Sequence, residues 1–385
     1  MRPAAAIPGS IAAAGPDQPA AVATLAAALS SGPGHAYAFL GPPGSGKRGL
    51  ARAFAAELLT LGDDDQARAE QGRRRALADP SPHPDLVWLE PAGSQHLVEE
   101  IRSRIIAAVS YRPFEAARRV FVIAAAEALA PESQNALLKT LEEPPPYAHI
   151  VLLSSEPATL LATVRSRCAE VPFAALSAEV IERRLGEESP GSPPEQLAAL
   201  ALLCAGDPDR ARMLITPQGA RLRSAAESCA RGARAGRLGD RPWQVVLAVA
   251  GEAGKLAAES VEVAAAERSE EGADRKESAR IKREGAEAAK RADRQRRTAT
   301  IDLALALAAT WFADLAALEE GAETLIRNID RRAELRADAD GVQLAAARRA
   351  AELIMGTRRR LQVNVNEELA LEATFQRCAA QFGSI

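Results

Sequence analysis

The chain has 385 residues, enough for two or three domains with sizeable cores. Hydrophobic residues make up 47% and aromatic residues 4%, a balance that favours a helix-rich protein over an all-β one. A formal net charge of −3 excludes attraction of the molecule as a whole to a polyanion, so any such contact must come from a local patch. Cys168, Cys204, Cys229 and Cys378 lie far apart with no C-x-x-C pair. That spacing argues against a metal site or a disulfide framework, and reduced thiols in a cytoplasmic protein are expected. The N-terminus lacks the basic-then-apolar order of a signal peptide, and no uninterrupted run of 18 apolar residues occurs. No membrane span is expected.

Residues 1–20, rich in Ala, Pro and Gly, read as a loose lead-in, and residues 20–29 as a helix closed by Ser30-Ser31-Gly32-Pro33-Gly34. The apolar run 36–40 predicts a buried strand. It is followed by Gly41-Pro42-Pro43-Gly44-Ser45-Gly46-Lys47 and by a helical pattern over 50–59. Strand, glycine loop and helix in that order is the context that makes G-x-x-x-x-G-K a phosphate-binding loop. The alternation continues. A strand over 86–89 precedes a helix over 97–110, with Leu97, Ile101, Ile105 and Val109 four apart. A strand over 120–123 is followed by a helix opening at Pro131 and stopped by Pro144-Pro145-Pro146. Strands over 150–153 and 170–173 complete the set. Apolar strands alternating with helices predict a five-stranded parallel sheet covered on both faces.

Strand signals stop near residue 176. Short helices over 177–185 and 194–203 suggest a small helical domain over 177–218, and everything from 219 to 385 reads as helix. Within it, residues 267–297 carry 11 basic and 8 acidic residues, with Ile281 as the one large aliphatic. A solvent-exposed helix or helical hairpin is expected there; the alternatives are a flexible charged insertion and a DNA-contacting arm, supported by Lys290, Arg291, Arg294, Arg296 and Arg297. Helical periodicity returns at Ile301, Leu305, Ala308, Phe312 and Leu315.

A phosphate-binding loop works through backbone N–H groups at a helix N-terminus, with Lys47 adding a point charge among the phosphates. The next residue is normally Ser or Thr, whose hydroxyl ligates magnesium, and here it is Arg48. Arginine has the wrong charge for that role. The strand over 120–123 runs into Ala124-Ala125-Ala126, where a hydrolysing enzyme needs acidic residues. Glu127 lies beyond the strand's expected end and reads as an ordinary exposed glutamate. Phosphate binding can survive these losses because the cradle is backbone, whereas hydrolysis should suffer. The expected cofactor is ATP held without hydrolysis, with no magnesium and no metal site. Ser166-Arg167-Cys168 follows the fourth strand, and on spacing alone Arg167 reads as a surface salt-bridge partner.

The glycine loop, His83-Pro84-Asp85, the run Asn135-Ala136-Leu137-Leu138-Lys139-Thr140-Leu141-Glu142-Glu143-Pro144-Pro145 and Ser166-Arg167-Cys168 together resemble bacterial clamp-loader subunits of the AAA+ superfamily, most closely the delta-prime family of DNA polymerase III. Residues 360–366 resemble that family's oligomerising helices. The resemblance implies an AAA+ domain over 1–176, a helical lid over 177–218 and an all-α collar over 219–385, with 267–297 as an insertion. It implies that Arg167 serves as an arginine finger for ATP on a neighbouring subunit. It also implies that Ser154 or Ser155 senses the γ-phosphate and that Arg210 is the lid arginine. The partners implied are gamma/tau and delta subunits, with the sliding clamp and primed DNA reached through the complex. Many relatives carry a four-cysteine zinc module before the H-P-D turn. Residues 59–82 hold Asp63-Asp64-Asp65 and Arg73-Arg74-Arg75 but no cysteine, so no zinc is expected, and a charge-mediated turn or disordered loop should replace it. The function expected is a stator without ATPase activity. Its competitors are an active gamma/tau-type motor and, less well matched, an unrelated AAA+ remodelling subunit.

Overall fold

The five apolar runs form the strands β1 (Ala36–Leu40), β2 (Leu86–Leu89), β3 (Arg119–Ile123), β4 (Ala148–Ser154) and β5 (Ala169–Pro172) of one parallel sheet. Their order is β2-β3-β4-β1-β5, with β1 between β4 and β5. The computed structural model describes residues 6–91, 95–270, 275–361 and 366–383, so residues 362–365 of the proposed oligomerising motif lie outside it. The chain divides into two units, Met1–Leu176 and Ser177–Ile385.

In the first unit the central strands β1, β3 and β4 are buried on both faces, and alternate residues feed two separate cores. Tyr37, Phe39, Val120, Val122, Val151 and Leu153 pack on one side with helices α1 (Gly9–Ala14), α2 (Pro19–Ser31) and α3 (Lys47–Thr60). Ala38, Phe121, Ile123, Ile150 and Leu152 pack on the other, with Ile101, Ile105, Leu137 and Leu141. Period-2 alternation between two apolar layers is why the runs look uniformly hydrophobic in sequence. This is the α/β class expected.

Two expectations need correction. From residue 6 onward the lead-in is not loose: Ile11 of α1 is fully buried and Gln18 is 6% exposed, while residues 1–5 lie outside the described residues. Alanine-rich composition concealed one large aliphatic that anchors the turn. Residues 59–82 are not a loop either, because Gln66–Leu77 forms helix α4. Asp65 caps it by accepting from the N–H groups of Ala67 (3.0 Å) and Arg68 (3.2 Å). Asp63 takes a two-point hydrogen bond from Arg68 at 2.8 and 2.9 Å, and Arg73 bridges Glu57 and Glu70. Both triplets thus find their partners outside one another, along the helix at Arg68 and Glu70 and across it at Glu57. In the next helix, α5 (Val98–Glu100), the chain continues as a wide π-turn segment over Ile101–Ala107. Ile101, Ile105 and Val109 are buried there, but Leu97 is 58% exposed.

Asp85 of the H-P-D turn is fully buried. Its carboxylate accepts from the N–H groups of Phe114 (2.7 Å), Glu115 (3.0 Å) and Ala116 (3.0 Å), pinning the loop that feeds β3. The turn is therefore a structural clamp.

The second unit is all helix among its described residues: α8 (Ala178–Glu188), α9 (Pro194–Leu203), α10 (Pro208–Ile215), α11 (Pro217–Arg234), α12 (Trp243–Glu270), α13 (Arg275–Glu319), α14 (Arg332–Ala339), α15 (Leu344–Arg360) and α16 (Glu367–Ala379). Helices α12 and α13 pair as a hairpin, so residues 267–297 form its distal part among the described residues. Ser278–Glu319 is long and apolar enough to cross a membrane by length and composition, but 72% of its apolar window is buried within the protein. That burial and the flanking contacts with α11 and α15 describe a core helix.

His149 in β4 is 2% exposed, donates from Nδ1 to the Gly34 carbonyl at 2.8 Å, and stacks on His35. Burial pushes its pKa down to about 4 from 6.5. The folded state thus refuses a proton that the unfolded chain accepts below pH 6.5, so stability is present above 6.5 and lost as pH falls towards 4. Between pH 7 and pH 5 this should cost about 2 kcal/mol. In urea melts at the two pH values, His149→Phe should shrink the difference by about that amount.

Candidate nucleotide-binding loop and arginine site

The loop over 41–47 sits at the carboxyl end of the sheet, where open α/β folds bind ligands. Gly41 N–H donates to Ser154 O at 3.1 Å, and Phe173 N–H donates to Leu40 O at 2.7 Å, which ties the loop to both neighbouring strands. A side chain on Gly41 would collide with the Phe173 carbonyl, so only glycine fits there. Gly46 takes a left-handed conformation, φ +88°, that turns the chain into α3. Ser45 is buried. Lys47 is 7% exposed and donates to the carbonyls of Gly41 and Pro42 and to Ser45 Oγ at 3.3 Å. The amine is therefore folded back onto its own loop.

Arg48 points elsewhere. Its guanidinium pairs with Glu90 and lies 5.6 Å from the centre of the Trp88 ring, while Arg52 covers the same ring at 4.5 Å. Trp88 Nε1 donates to Glu90 at 2.8 Å. A cation in the first turn of a helix opposes the macrodipole, and Glu90 with the indole face offsets that here. Glu90, Trp88 and Arg52 escaped the sequence reading; the available signal was the arginine pair at i and i+4 opposite a strand-end acid.

At the end of β3, Ala125 adopts φ +48° and turns the chain into a short 3₁₀ segment, Ala126–Ala128. His96, 3% exposed, donates from Nε2 to Ala124 O at 2.8 Å and closes off this strand end. Glu127 is not an ordinary exposed glutamate: it is half-buried and accepts from Ser155 N–H at 3.1 Å, bridging the ends of β3 and β4. Ser154 is fully buried, with its Oγ accepting from Glu156 N–H at 3.2 Å. Both serines therefore brace the strand end. Among the described residues, no three His, Cys, Asp or Glu side chains converge as a metal site would need.

Gln18 is the other residue missed. Its Nε2 donates to Ser45 O (3.0 Å) and Ala174 O (2.8 Å), while Oε1 accepts from Ala174 N–H (3.1 Å). One buried amide thus splints the phosphate loop to the segment after β5.

Arg167 follows α7 (Ala162–Arg165). It donates to Thr163 O at 2.7 Å and pairs with Glu142 at the end of helix α6 (Pro131–Glu142), its side chain one-third exposed. Gln134 in α6 donates to Leu129 O and Thr159 O and accepts from Leu161 N–H, fixing the α7 segment to α6. The conspicuous asparagine-leucine helix is thus the platform for Arg167. Burial pushes the Cys168 thiol up to about 12, so it is not a thiolate at neutral pH. Arg210 belongs to the second unit, in the first turn of α10, where it leans on the capping Asp207 at 3.4 Å.

A family model described as DNA polymerase III, delta subunit, matches residues 17–177. Over those residues the first unit is similar to this clamp-loader family. DNA polymerase III subunit delta' of Pseudomonas aeruginosa is 35% identical over 186 residues, 47% of this chain and 55% of the relative. The delta' subunit of Bacillus subtilis is 32% identical over 154 residues, 40% of this chain and 46% of the relative. Subunit tau of Escherichia coli is 35% identical over 185 residues, 45% of this chain and 27% of the relative. The chain thus matches about half the length of the delta' relatives and about a quarter of tau. Among solved structures, a gamma subunit-related protein from Thermotoga maritima aligns over 93% of this chain and 98% of its own at 16% identity, with a TM-score of only 0.43.

Gln18→Ala removes the splint and strands buried polar groups of Ser45 and Ala174, a loss of about 1–3 kcal/mol. Amide hydrogen exchange should accelerate across residues 41–47 and 173–176, while β3 stays protected.

Proposed function

We propose that the chain is a DNA polymerase III clamp-loader subunit that does not turn over ATP itself and lends Arg167 to a nucleotide on a neighbouring subunit. One observation carries this reading: Arg48, where a magnesium-ligating hydroxyl is expected, is engaged by Glu90 and Trp88. The strand end that should supply carboxylates offers Ala124, Ala125 and Ala126. These residues do not fit magnesium, and no hydrolytic step runs through them.

The loop does fit a phosphate chain. Its backbone N–H groups and Lys47 would hold β- and γ-phosphates once Lys47 exchanged the Gly41 and Pro42 carbonyls for them. Such binding would have a structural role. Arg167 supports the in-trans part of the reading, because its partner Glu142 is exposed and anionic. A γ-phosphate arriving from a neighbour would replace one oxyanion partner with another while α6 and α7 hold the backbone still. Charge offered in this way can raise turnover at the recipient site by about 10³-fold or more. In this reading Ser154 or Ser155 senses the γ-phosphate, zinc has no part, and the partners are gamma/tau and delta subunits in the cytoplasm. The sliding clamp and primed DNA are met through the assembled complex.

The competing reading, an active gamma/tau-type motor, draws on the 35% identity to tau. Steady-state ATPase assays separate the two. The isolated chain should show no turnover above background, and motor-like rates would overturn the stator reading. In a loader reconstituted with motor subunits, Arg167→Ala should assemble normally yet lower clamp- and DNA-stimulated ATPase several-fold, because one site loses its finger. Unchanged stimulated turnover would remove Arg167 from the mechanism.

A further inference from the structure

The charged stretch of the α12–α13 hairpin plays no part in the site above. Its charges are sorted by helix. Residues 278–297 of α13 carry eight basic side chains and three acidic ones, in a molecule whose net charge is −3. Residues 251–267 of α12 carry four acidic side chains and one basic one. Sequence alone, counting 11 basic against 8 acidic over 267–297, blurs this separation.

The hairpin's seam is made of small residues in close approach. A Cβ on Gly285 would lie 2.5 Å from Ala265 Cβ, and one on Gly254 would strike Asp293. Ala265 and Ala289 are 3% and 2% exposed. This seam turns one face of α13 inward and leaves the opposite face in solvent. On that outer face, Arg283, Lys290 and Arg294 recur at i, i+7 and i+11, a single stripe about 16 Å long. All three are exposed. Arg283 and Arg294 make no ion pair among the described residues, and Lys290 has only an exposed contact with Glu287 at 3.2 Å, worth little.

We infer that this stripe binds the phosphate backbone of duplex DNA. A stiff helix with cations repeated along one face complements a regular polyanion, and releasing the counterions condensed on the duplex favours the contact. Three cations spread over about 16 Å of one helix face match the repeating phosphates, and phosphate contacts carry no sequence information. The inference needs neither nucleotide nor partner subunits, so it can fail without the stator reading failing, and the reverse.

The test is fluorescence anisotropy of a labelled 20-base-pair duplex titrated with the full chain at several salt concentrations. The wild type should bind at low salt, with affinity falling linearly in log–log form. The triple variant Arg283→Gln, Lys290→Gln, Arg294→Gln should weaken binding at least about 10-fold and reduce the salt slope by about 2–3. Replacing the same three positions so that all are lysine should retain binding, since phosphate accepts either cation; this guards against a mere folding defect. Glu259→Gln with Glu262→Gln, on the acidic helix, should not weaken binding. Absence of wild-type binding, equal binding by the triple glutamine variant, loss in the lysine variant, or binding only to phosphatidylserine vesicles or single strands would each overturn the inference.

Discussion

The placement of β1 between β4 and β5 is the constraint on which the rest of the first unit depends. Because the pairing is parallel, the three strands end together, with Leu40 beside both Ser154 and Pro172. The chain leaving β1 must pass between the ends of two neighbours. Its first residue bonds Ser154, and the segment after β5 approaches so closely that only glycine fits at 41. The glycine loop is therefore shaped first by strand packing. Gln18 adds a third tie, from an N-terminal segment whose one buried aliphatic, Ile11, fixes its course.

The loop's form does not depend on the side chains that metal-assisted hydrolysis requires. Its shape rests on backbone hydrogen bonds and positive-φ glycines, and neither senses the side chain at 48 or the residues after β3. Arg48 is part of a cluster with Trp88, Glu90 and Arg52, and Glu127 is a strap between the ends of β3 and β4. The Arg167 platform follows the opposite logic. Gln134 and Glu142, two helical turns apart on α6, hold the loop and the guanidinium respectively, so the geometry there depends on specific side chains.

Legibility in the sequence tracked the range of the forces involved. Strands β1, β3 and β4 were visible because burial on both faces leaves nearly unbroken apolar runs. The helix opening at Pro131 was visible because proline at the start and a proline run after the end punctuate it. Helix α4 was not visible, since its stability comes from a cap at Asp65 and from pairs such as Arg73–Glu57, which composition reads as a charged loop. The lead-in was misread for a related reason: alanine carries little periodic signal, and one isoleucine decides the packing. At the site, Lys47, Arg48 and Arg167 were identifiable as residues, but their partners Glu90, Trp88 and Glu142 come from other elements, and Gln18 had no local signature at all.

By itself, the sequence determined the fold class, the glycine loop, the missing hydroxyl and carboxylates, and the arginine after the fourth strand, because each is written in residue type at short spacing. Only the tertiary structure decided what those residues touch. Lys47 turns into its own loop, Arg48 turns out to Glu90, Asp85 is a clamp, and the basic segment 278–297 of α13 lies on a helix paired with the acidic segment 251–267 of α12. The physical reason is that side-chain partners are chosen by strand register and helix pairing, which bring together residues tens of positions apart that no local pattern links.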